Sequence, residues 1–194
     1  DRAGREVGRV GEPDTVGQMP ALSPDGRTLA LVRTANANVD VWLLDLARGV
    51  LDRVTSDPSN DVFPIWAPDR TRLAFSSTRD GGVHNLYERP ATGAGAERPI
   101  LSSRQDKSAT DWSPDGRFLL YFAFSLEGQN DILALPMEGD RTPLPLVGTA
   151  FEERNAKFSP DGRWIAYQSN ESGRFEIYVQ PFPGPGARTR ISVN

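Results

Sequence analysis

Residues 112–121 read WSPDGRFLLY, and variants of this phrase recur along the chain. Proline sets the backbone of the second position of a tight turn, aspartate suits the third position, and glycine suits a left-handed fourth position. A large apolar residue precedes the turn, and a short apolar run follows it. The phrase therefore predicts two antiparallel strands joined by a hairpin, with a bulge at the glycine.

The turn occurs four times at a nearly constant spacing. Its aspartates lie 44, 46 and 46 residues apart, at Asp25, Asp69, Asp115 and Asp161. Its fourth position is glycine in three copies, at Gly26, Gly116 and Gly162. A period of about 45 residues is typical of four-stranded propeller blades, whereas helical repeats have periods of about 33 or 34 residues.

Each period contains four predicted strands. The second strands are short apolar runs, whose composition indicates burial on both faces, at 29–31, 73–75, 119–121 and 165–167. The third strands follow, at 40–43, 85–88, 131–134 and 176–179. The fourth strands are less hydrophobic, as suits an outer edge, at 51–55, 98–101, 144–147 and 189–193. Together they predict an all-β fold, a β-propeller of four-stranded antiparallel blades.

The repeat also predicts how the chain is divided. We expect four complete blades, at residues 18–61, 62–107, 108–153 and 154–194. Residues 1–10 align with residues 45–54, so residues 1–17 are predicted to supply the outer strand of a preceding blade and a linker. The unpaired strand indicates a segment of a larger ring or one half of an assembly. Because blade faces are apolar, we also expect self-association through the terminal blades.

The motifs at 112–118, 158–167 and 175–183 resemble the WD40-like repeat of the TolB type. The likeness covers residues 1–193. The second copy departs from it at Ala67 and Arg70, and we expect mild strain in that turn. The resemblance implies a non-catalytic module that binds a protein or a small ligand.

Residues 177–184 add a narrower likeness. They resemble the propeller regions that follow bacterial serine/threonine protein kinase domains. That likeness implies an extracytoplasmic or periplasmic sensor domain within a larger bacterial protein. Related repeats also form the gating propeller of prolyl-oligopeptidase-like serine peptidases, which is the alternative function.

The composition excludes several kinds of chemistry. The chain has no cysteine, which excludes catalysis by a thiol. It has a single histidine, His84, which excludes any mechanism that needs two imidazoles. No serine lies in a Gly-x-Ser-x-Gly elbow. The net charge is −4 and the arginines are dispersed, which argues against nucleic-acid binding. No apolar stretch is long enough to insert into a membrane. We therefore predict no enzyme activity, no catalytic residue, no cofactor and no metal.

Two loop features allow alternatives. His84 follows two glycines, and we interpret it as a solvated loop residue rather than a metal ligand or general base. Oxygen-rich loops precede three of the repeats, and their carboxylates suit Ca²⁺, but the calcium-loop pattern of an EF-hand is missing. We interpret these residues as caps of strands and turns, namely Asp57, Asn60, Asp61, Asp106, Asp111, Glu152 and Glu153.

Binding is predicted at one end of the blades. The loops between second and third strands emerge on the same side as those between blades, and we name this side the loop face. Its loops vary in length and composition, whereas the opposite turns repeat, and variable loops on a rigid scaffold are where ligands usually bind. The candidate contact residues are Phe124, Leu126, Phe151, His84 and Arg79.

Overall fold

A computed structural model describes residues 3–6, 8–10, 18–92, 95–124, 129–184 and 186–192 of the 194-residue chain. The described strands form four four-stranded sheets, which we name blades 1 to 4. Blade 1 consists of β1 (Gln18–Leu22), β2 (Thr28–Ala35), β3 (Asn38–Asp45) and β4 (Val50–Arg53). Blade 2 consists of β5 (Asp61–Trp66), β6 (Arg72–Ser77), β7 (Asn85–Pro90) and β8 (Arg98–Leu101).

The other two sheets repeat the pattern. Blade 3 consists of β9 (Lys107–Trp112), β10 (Phe118–Phe124), β11 (Asn130–Pro136) and β12 (Leu144–Val147). Blade 4 consists of β13 (Glu153–Phe158), β14 (Trp164–Ser169), β15 (Glu176–Pro181) and β16 (Thr189–Arg190). The described residues form no helix, and so none that is long and apolar enough to cross a membrane.

Every sheet is an antiparallel meander in chain order. The first strands of successive sheets lie side by side, β1 beside β5, β5 beside β9, and β9 beside β13. These four strands therefore form the inner wall of the ring, and the fourth strands lie at its rim. The predicted all-β fold of four four-stranded propeller blades is confirmed.

The hydrophobic core lies at the seams between blades. One cluster joins blades 2 and 3 around Trp112 and Tyr121, and another joins blades 3 and 4 around Leu120 and Tyr167. The second strands of blades 2 and 3 are buried on both faces, as predicted. Those of blades 1 and 4 are buried only at alternate residues, because each of these blades has a neighbour on one side alone.

The repeated turns are held by their own side chains. Ser23 Oγ donates a hydrogen bond of 2.7 Å to Asp25, and the backbone N–H of Gly26 donates one of 2.8 Å to Ser23 O. The bond from Ser23 lowers the pKa of Asp25 to about 2. Arg70, in the glycine position of the second copy, has a φ of 65°, the left-handed value that glycine adopts in the other three turns.

Two details differ from the sequence predictions. The bulges beside the repeated turns lie in the first strands rather than at the turn glycines. In each blade, the pairing between the first and second strands shifts in register before the chain reaches the turn. The predicted outer strand at residues 1–10 is not formed by its described residues, 3–6 and 8–10, which adopt a turn and irregular backbone, and its place in a preceding blade stays a prediction. A strand requires a hydrogen-bonding neighbour, and no described strand pairs with this segment.

Candidate functional site

The bulges place one residue of three inner strands, β1, β5 and β13, in an unusual backbone conformation. Met19, Phe63 and Asn155 occupy the same position of their repeats and have φ values of 51°, 54° and 56°. This left-handed conformation costs roughly 1–2 kcal/mol for residues other than glycine, and asparagine tolerates it best. Bulges of this kind redirect side chains and are common beside functional sites. Met19 and Phe63 therefore keep a strained backbone on the inner wall.

A groove of about 630 Å³ follows the inner strands from these bulges to the prolines of the turns. Its wall is mostly apolar and aromatic, and includes Met19, Phe63, Trp66, Trp112 and Phe122. The rings of Phe63 and Phe122 meet edge to face, with centroids 6.3 Å apart. An apolar groove with a few polar groups is the usual form of a ligand site.

The indole nitrogens beside the groove are already satisfied by the protein. Trp66 Nε1 donates a hydrogen bond of 3.0 Å to Ala21 O across the seam between blades 1 and 2. Trp112 Nε1 donates one of 3.0 Å to Gly116 O within its own blade. Trp66, which is half-buried, consequently offers apolar ring surface to a ligand rather than a hydrogen-bond donor, whereas Trp112 is only 6% exposed.

One end of the groove is polar. Asp111 and Lys157 lie there, with Lys157 Nζ 3.6 Å from Asp111 Oδ1. Lys157 Nζ also donates a hydrogen bond to Thr110 O, which belongs to the bulge of blade 3. Burial raises the pKa of Asp111, although the charge of Lys157 opposes the rise. The groove can therefore accept an apolar group along its wall and a hydrogen-bonding group at this end.

The structure brings the predicted loops together on the loop face. His84 O accepts a hydrogen bond from the backbone N–H of Lys107, and Thr78 Oγ1 accepts one of 3.1 Å from the backbone N–H of Asn60. Phe124 and Phe151 are 48% and 41% exposed there. Leu126 lies outside the described residues. As contact residues, all three remain predictions.

Arg79 and His84 have internal partners. Arg79 bonds to Asp61 and Glu97 and lies 4.5 Å from the ring centroid of Tyr87, so its side chain is only 17% exposed. His84 Nδ1 lies 3.0 Å from Asp106, which also accepts a 2.7 Å hydrogen bond from the His84 backbone N–H. Asp106 thus holds both the backbone and the ring of His84, whose side chain is 32% exposed, and the interpretation of His84 as a solvated loop residue rather than a metal ligand or general base stays a prediction. Their roles as ligand contacts are untested predictions.

Residues of the oxygen-rich loops are buried where the inner strands begin. Asp61, Lys107 and Glu153 occupy equivalent first positions of their inner strands, and all three are buried. Glu153 accepts hydrogen bonds from Thr149 and Ser169 at 2.6 and 3.2 Å. Within the described part of the chain, no three histidine or acidic side chains are grouped so that they could hold a metal ion.

The groove is the feature that sequence reasoning missed. Trp66 and Trp112, which the repeat marks only as the large apolar residue before the turn, also line the groove. The sequence carries no local signal for the groove, because Met19, Phe63, Ala109 and Asn155 share one first-strand position and all differ, as most neighbouring first-strand positions do.

Solved structures similar to this chain share its fold. A putative TolB from Agrobacterium tumefaciens matches with a TM-score of 0.81 and 24% identity, over 92% of this chain and 62% of that one. TolB from Acinetobacter baumannii matches with a TM-score of 0.76 and 21% identity, over 87% of this chain and 41% of that one. The chain thus spans less than two thirds of the length of either relative.

A prolyl endopeptidase structure is also similar, with a TM-score of 0.64 and 16% identity, over 93% of this chain and 29% of that one. At these identities the structural likenesses establish the fold alone. The family model described as the TolB beta propeller domain matches residues 3–130, which is more than half of the chain. The chain therefore belongs to the TolB beta propeller domain family.

Proposed function

We propose that this chain is a non-catalytic binding module that holds an extended protein segment in its inner groove. The observation that carries the proposal is the aromatic groove wall, in which Phe63 keeps a left-handed backbone. Strain of this kind costs about 1–3 kcal/mol and is typical of binding and active sites. A segment with an aromatic or branched side chain would fill the apolar wall and reach Asp111 or Lys157 with a polar group.

The wider setting of the module is part of the proposal. The likeness of residues 177–184 to propellers behind bacterial serine/threonine kinase domains supports a sensor region of a larger extracytoplasmic protein. The loop face, with Phe124 and Phe151 exposed, provides a second surface for a protein partner or a small ligand. We propose no cofactor for either surface.

A gating propeller of a serine peptidase is the second candidate. It is favoured by the likeness to the prolyl endopeptidase structure. The neighbouring sequence separates the two candidates, because an upstream kinase domain and membrane helix would support the sensor. A downstream α/β-hydrolase domain would support the peptidase.

The experiment is a binding screen of the purified chain against an array of synthetic dodecapeptides, with binding measured by tryptophan fluorescence. Phe63→Asn is the groove variant, because asparagine tolerates the left-handed backbone and removes the ring. Phe124→Ser on the loop face is the matched control. We expect Phe63→Asn to weaken binding at least tenfold and Phe124→Ser to leave it unchanged.

Two results would overturn the proposal. If Phe124→Ser abolishes peptide binding and Phe63→Asn does not, the binding surface is the loop face. If no peptide binds, the groove does not hold extended segments. Mass spectrometry of the same incubations tests the non-catalytic part, because cleaved peptides would identify an enzyme.

A further inference from the structure

A pocket of about 410 Å³ lies at the rim of the seam between blades 3 and 4, on the loop face. Its most buried lining residue is Tyr178, which stacks on Tyr167 in that seam with ring centroids 6.0 Å apart. The exposed ring of Phe151, in the connection between the two blades, also lines it. The remaining lining residues are polar or charged, namely Glu171, Ser172, Arg188 and Arg190.

The stacked pair has an equivalent in blade 2, where the protein supplies a partner for the tyrosine. Tyr87 stacks on Phe75 with centroids 6.0 Å apart, and the strand pairing shows that these residues correspond to Tyr178 and Tyr167. The Tyr87 hydroxyl donates a hydrogen bond to Asp80, the third residue after β6. Blade 2 therefore places a carboxylate of its own against this hydroxyl.

Blade 4 lacks that carboxylate. The third residue after β14 is Ser172, whose hydroxyl donates instead to Arg174 O at 3.3 Å. Tyr178 is only 4% exposed, and its hydroxyl has no hydrogen-bond partner among the described residues. The pocket therefore leaves a phenolic donor to a ligand, at the point where Asp80 is the acceptor in blade 2.

An ion pair beside the tyrosine has opposite polarity in the two blades. In blade 2 it joins Arg79, the second residue after β6, to Glu97. In blade 4 it joins Glu171, at the position of Arg79, to Arg188, at the position of Glu97, over 2.6 Å. Each pair neutralises itself, so the charge that a ligand meets is decided by the groups around the pair.

Arg190 gives the lining of this pocket a net positive charge. It occupies the position of Pro99 in blade 2, because each pairs with the tyrosine of the third strand. Arg190 is exposed and has no hydrogen bond or ion pair within the described part of the chain, and its charge acts only at longer range on Glu176. A guanidinium group binds a carboxylate through two parallel hydrogen bonds. An anionic ligand is therefore favoured, with the ring of Phe151 as an apolar surface beside it.

We propose that this pocket binds a carboxylate with an adjacent apolar group, held by the Arg190 guanidinium and the Tyr178 hydroxyl. The carboxylate takes the place that the Asp80 side chain has in blade 2, and the apolar group packs against Phe151. Two sources share this chemistry, a free small carboxylate and the acidic side chain of a protein partner. The inference rests on the proposed loop-face surface, to which Phe151 belongs, and is independent of the groove.

The test is a titration of the purified chain, followed by NMR chemical-shift changes, with two acidic probes and their neutral counterparts. N-acetyl-phenylalanine represents a free carboxylate, and an acetylated and amidated Phe-Asp dipeptide represents an acidic side chain. The neutral counterparts are N-acetyl-phenylalanine amide and the Phe-Asn dipeptide. We expect at least one acidic probe to bind, about tenfold or more tightly than its counterpart, and the probe that binds identifies the source.

Three variants alter the pocket itself. We expect Arg190→Gln to weaken binding of the acidic probe about tenfold or more, and Tyr178→Phe, which keeps the stacked ring, about threefold or more. Ser172→Asp restores the carboxylate that blade 2 has at this position. It is expected to abolish binding, because the new carboxylate occupies the tyrosine hydroxyl and cancels the positive charge.

The matched controls change the same residue types in blade 2. Arg98→Gln replaces an exposed arginine of the outer strand, and Tyr87→Phe removes a hydroxyl that is already bonded, so both should bind like the wild type. Phe63→Asn should also bind like the wild type, which separates failure of this site from failure of the groove proposal. Circular dichroism checks that each variant folds.

Three results would overturn the proposal. They are the absence of binding by both acidic probes, equal binding of the neutral counterparts, and wild-type binding by Arg190→Gln and Ser172→Asp. Equal binding of a neutral counterpart would leave the loop-face surface in place and remove only the carboxylate from its ligand.

Discussion

The carboxylate of Asp111 accepts a hydrogen bond of 2.8 Å from the backbone N–H of Phe158, which lies in the next blade. The two residues belong to inner strands of different sheets, and these sheets share no ladder of backbone hydrogen bonds. Asp111 also approaches Lys157, so a single carboxylate binds two groups of the neighbouring strand. The seam between blades 3 and 4 is therefore held by a side chain where backbone pairing is absent.

Replacement of Asp111 is expected to weaken that seam. In Asp111→Ala the N–H of Phe158 loses its acceptor, so the free energy of unfolding should fall by about 1–3 kcal/mol. Asp111→Asn keeps an acceptor oxygen and loses only the attraction to the exposed Lys157, which should cost less than about 1 kcal/mol. Urea unfolding measures both variants. Equal losses would show that the bond to Phe158 contributes nothing.

Glu153→Gln is expected to stabilise the protein near neutral pH. Glu153 is fully buried, and its Oε2 has no hydrogen-bond partner among the described residues. Burial raises the pKa of Glu153, so its charged form is disfavoured in the folded state. Glutamine removes the charge and keeps an oxygen that accepts the hydrogen bonds of Thr149 and Ser169. We expect the free energy of unfolding to rise by about 1 kcal/mol.

The pH dependence of that gain follows from the direction of the shift. Because the folded pKa lies above the ordinary value of 4.5, the contribution of Glu153 is complete below that value and decreases as pH rises through the folded pKa. The advantage of Glu153→Gln should therefore grow between about pH 5 and pH 8. Glu152→Gln, at the partly exposed neighbouring position, is the control for replacing a glutamate by glutamine. A constant difference at both pH values would contradict the argument.

Arg70→Gly is expected to relieve backbone strain in the second turn. Arg70 has a φ of 65°, which glycine adopts freely. Arg70 also forms an exposed ion pair with Asp25 at 2.9 Å, which Arg70→Ala removes without relieving the backbone. We expect the free energy of unfolding of Arg70→Gly to exceed that of Arg70→Ala by about 1 kcal/mol, and the melting temperature to rise accordingly.

The reciprocal change provides the control for that prediction. Gly116 has a φ of 76°, and an added Cβ would lie 3.6 Å from Pro68, an ordinary contact distance. The free energy of unfolding of Gly116→Ala should therefore fall by about 1 kcal/mol, because of the backbone conformation alone. If neither substitution changes the melting temperature, left-handed strain does not limit these turns.

The repeat was sufficient to predict the strands, because turn chemistry and apolar runs are local properties of the sequence. Contacts between distant residues could not be derived in this way. Arg79, for example, bonds to Asp61 and Glu97, each 18 residues away in opposite directions, and nothing local marks such a bridge. The bulge at Phe63 is likewise a property of strand register, which depends on packing between two strands.

Phe124 and Phe151 are exposed on the loop face. Both were expected to be contact anchors on the loop face, and a residue that instead packs beneath its own loop would contribute to stability. At 48% and 41% exposure they bury little more than half of their surface, so Phe124→Ser and Phe151→Ser should each change the free energy of unfolding by less than about 0.5 kcal/mol. Phe75→Ser, at a fully buried ring in the seam between blades 1 and 2, should cost more than about 3 kcal/mol and calibrates the measurement. A loss above about 1.5 kcal/mol in either exposed variant would identify that phenylalanine as part of the loop's own packing rather than as a binding anchor.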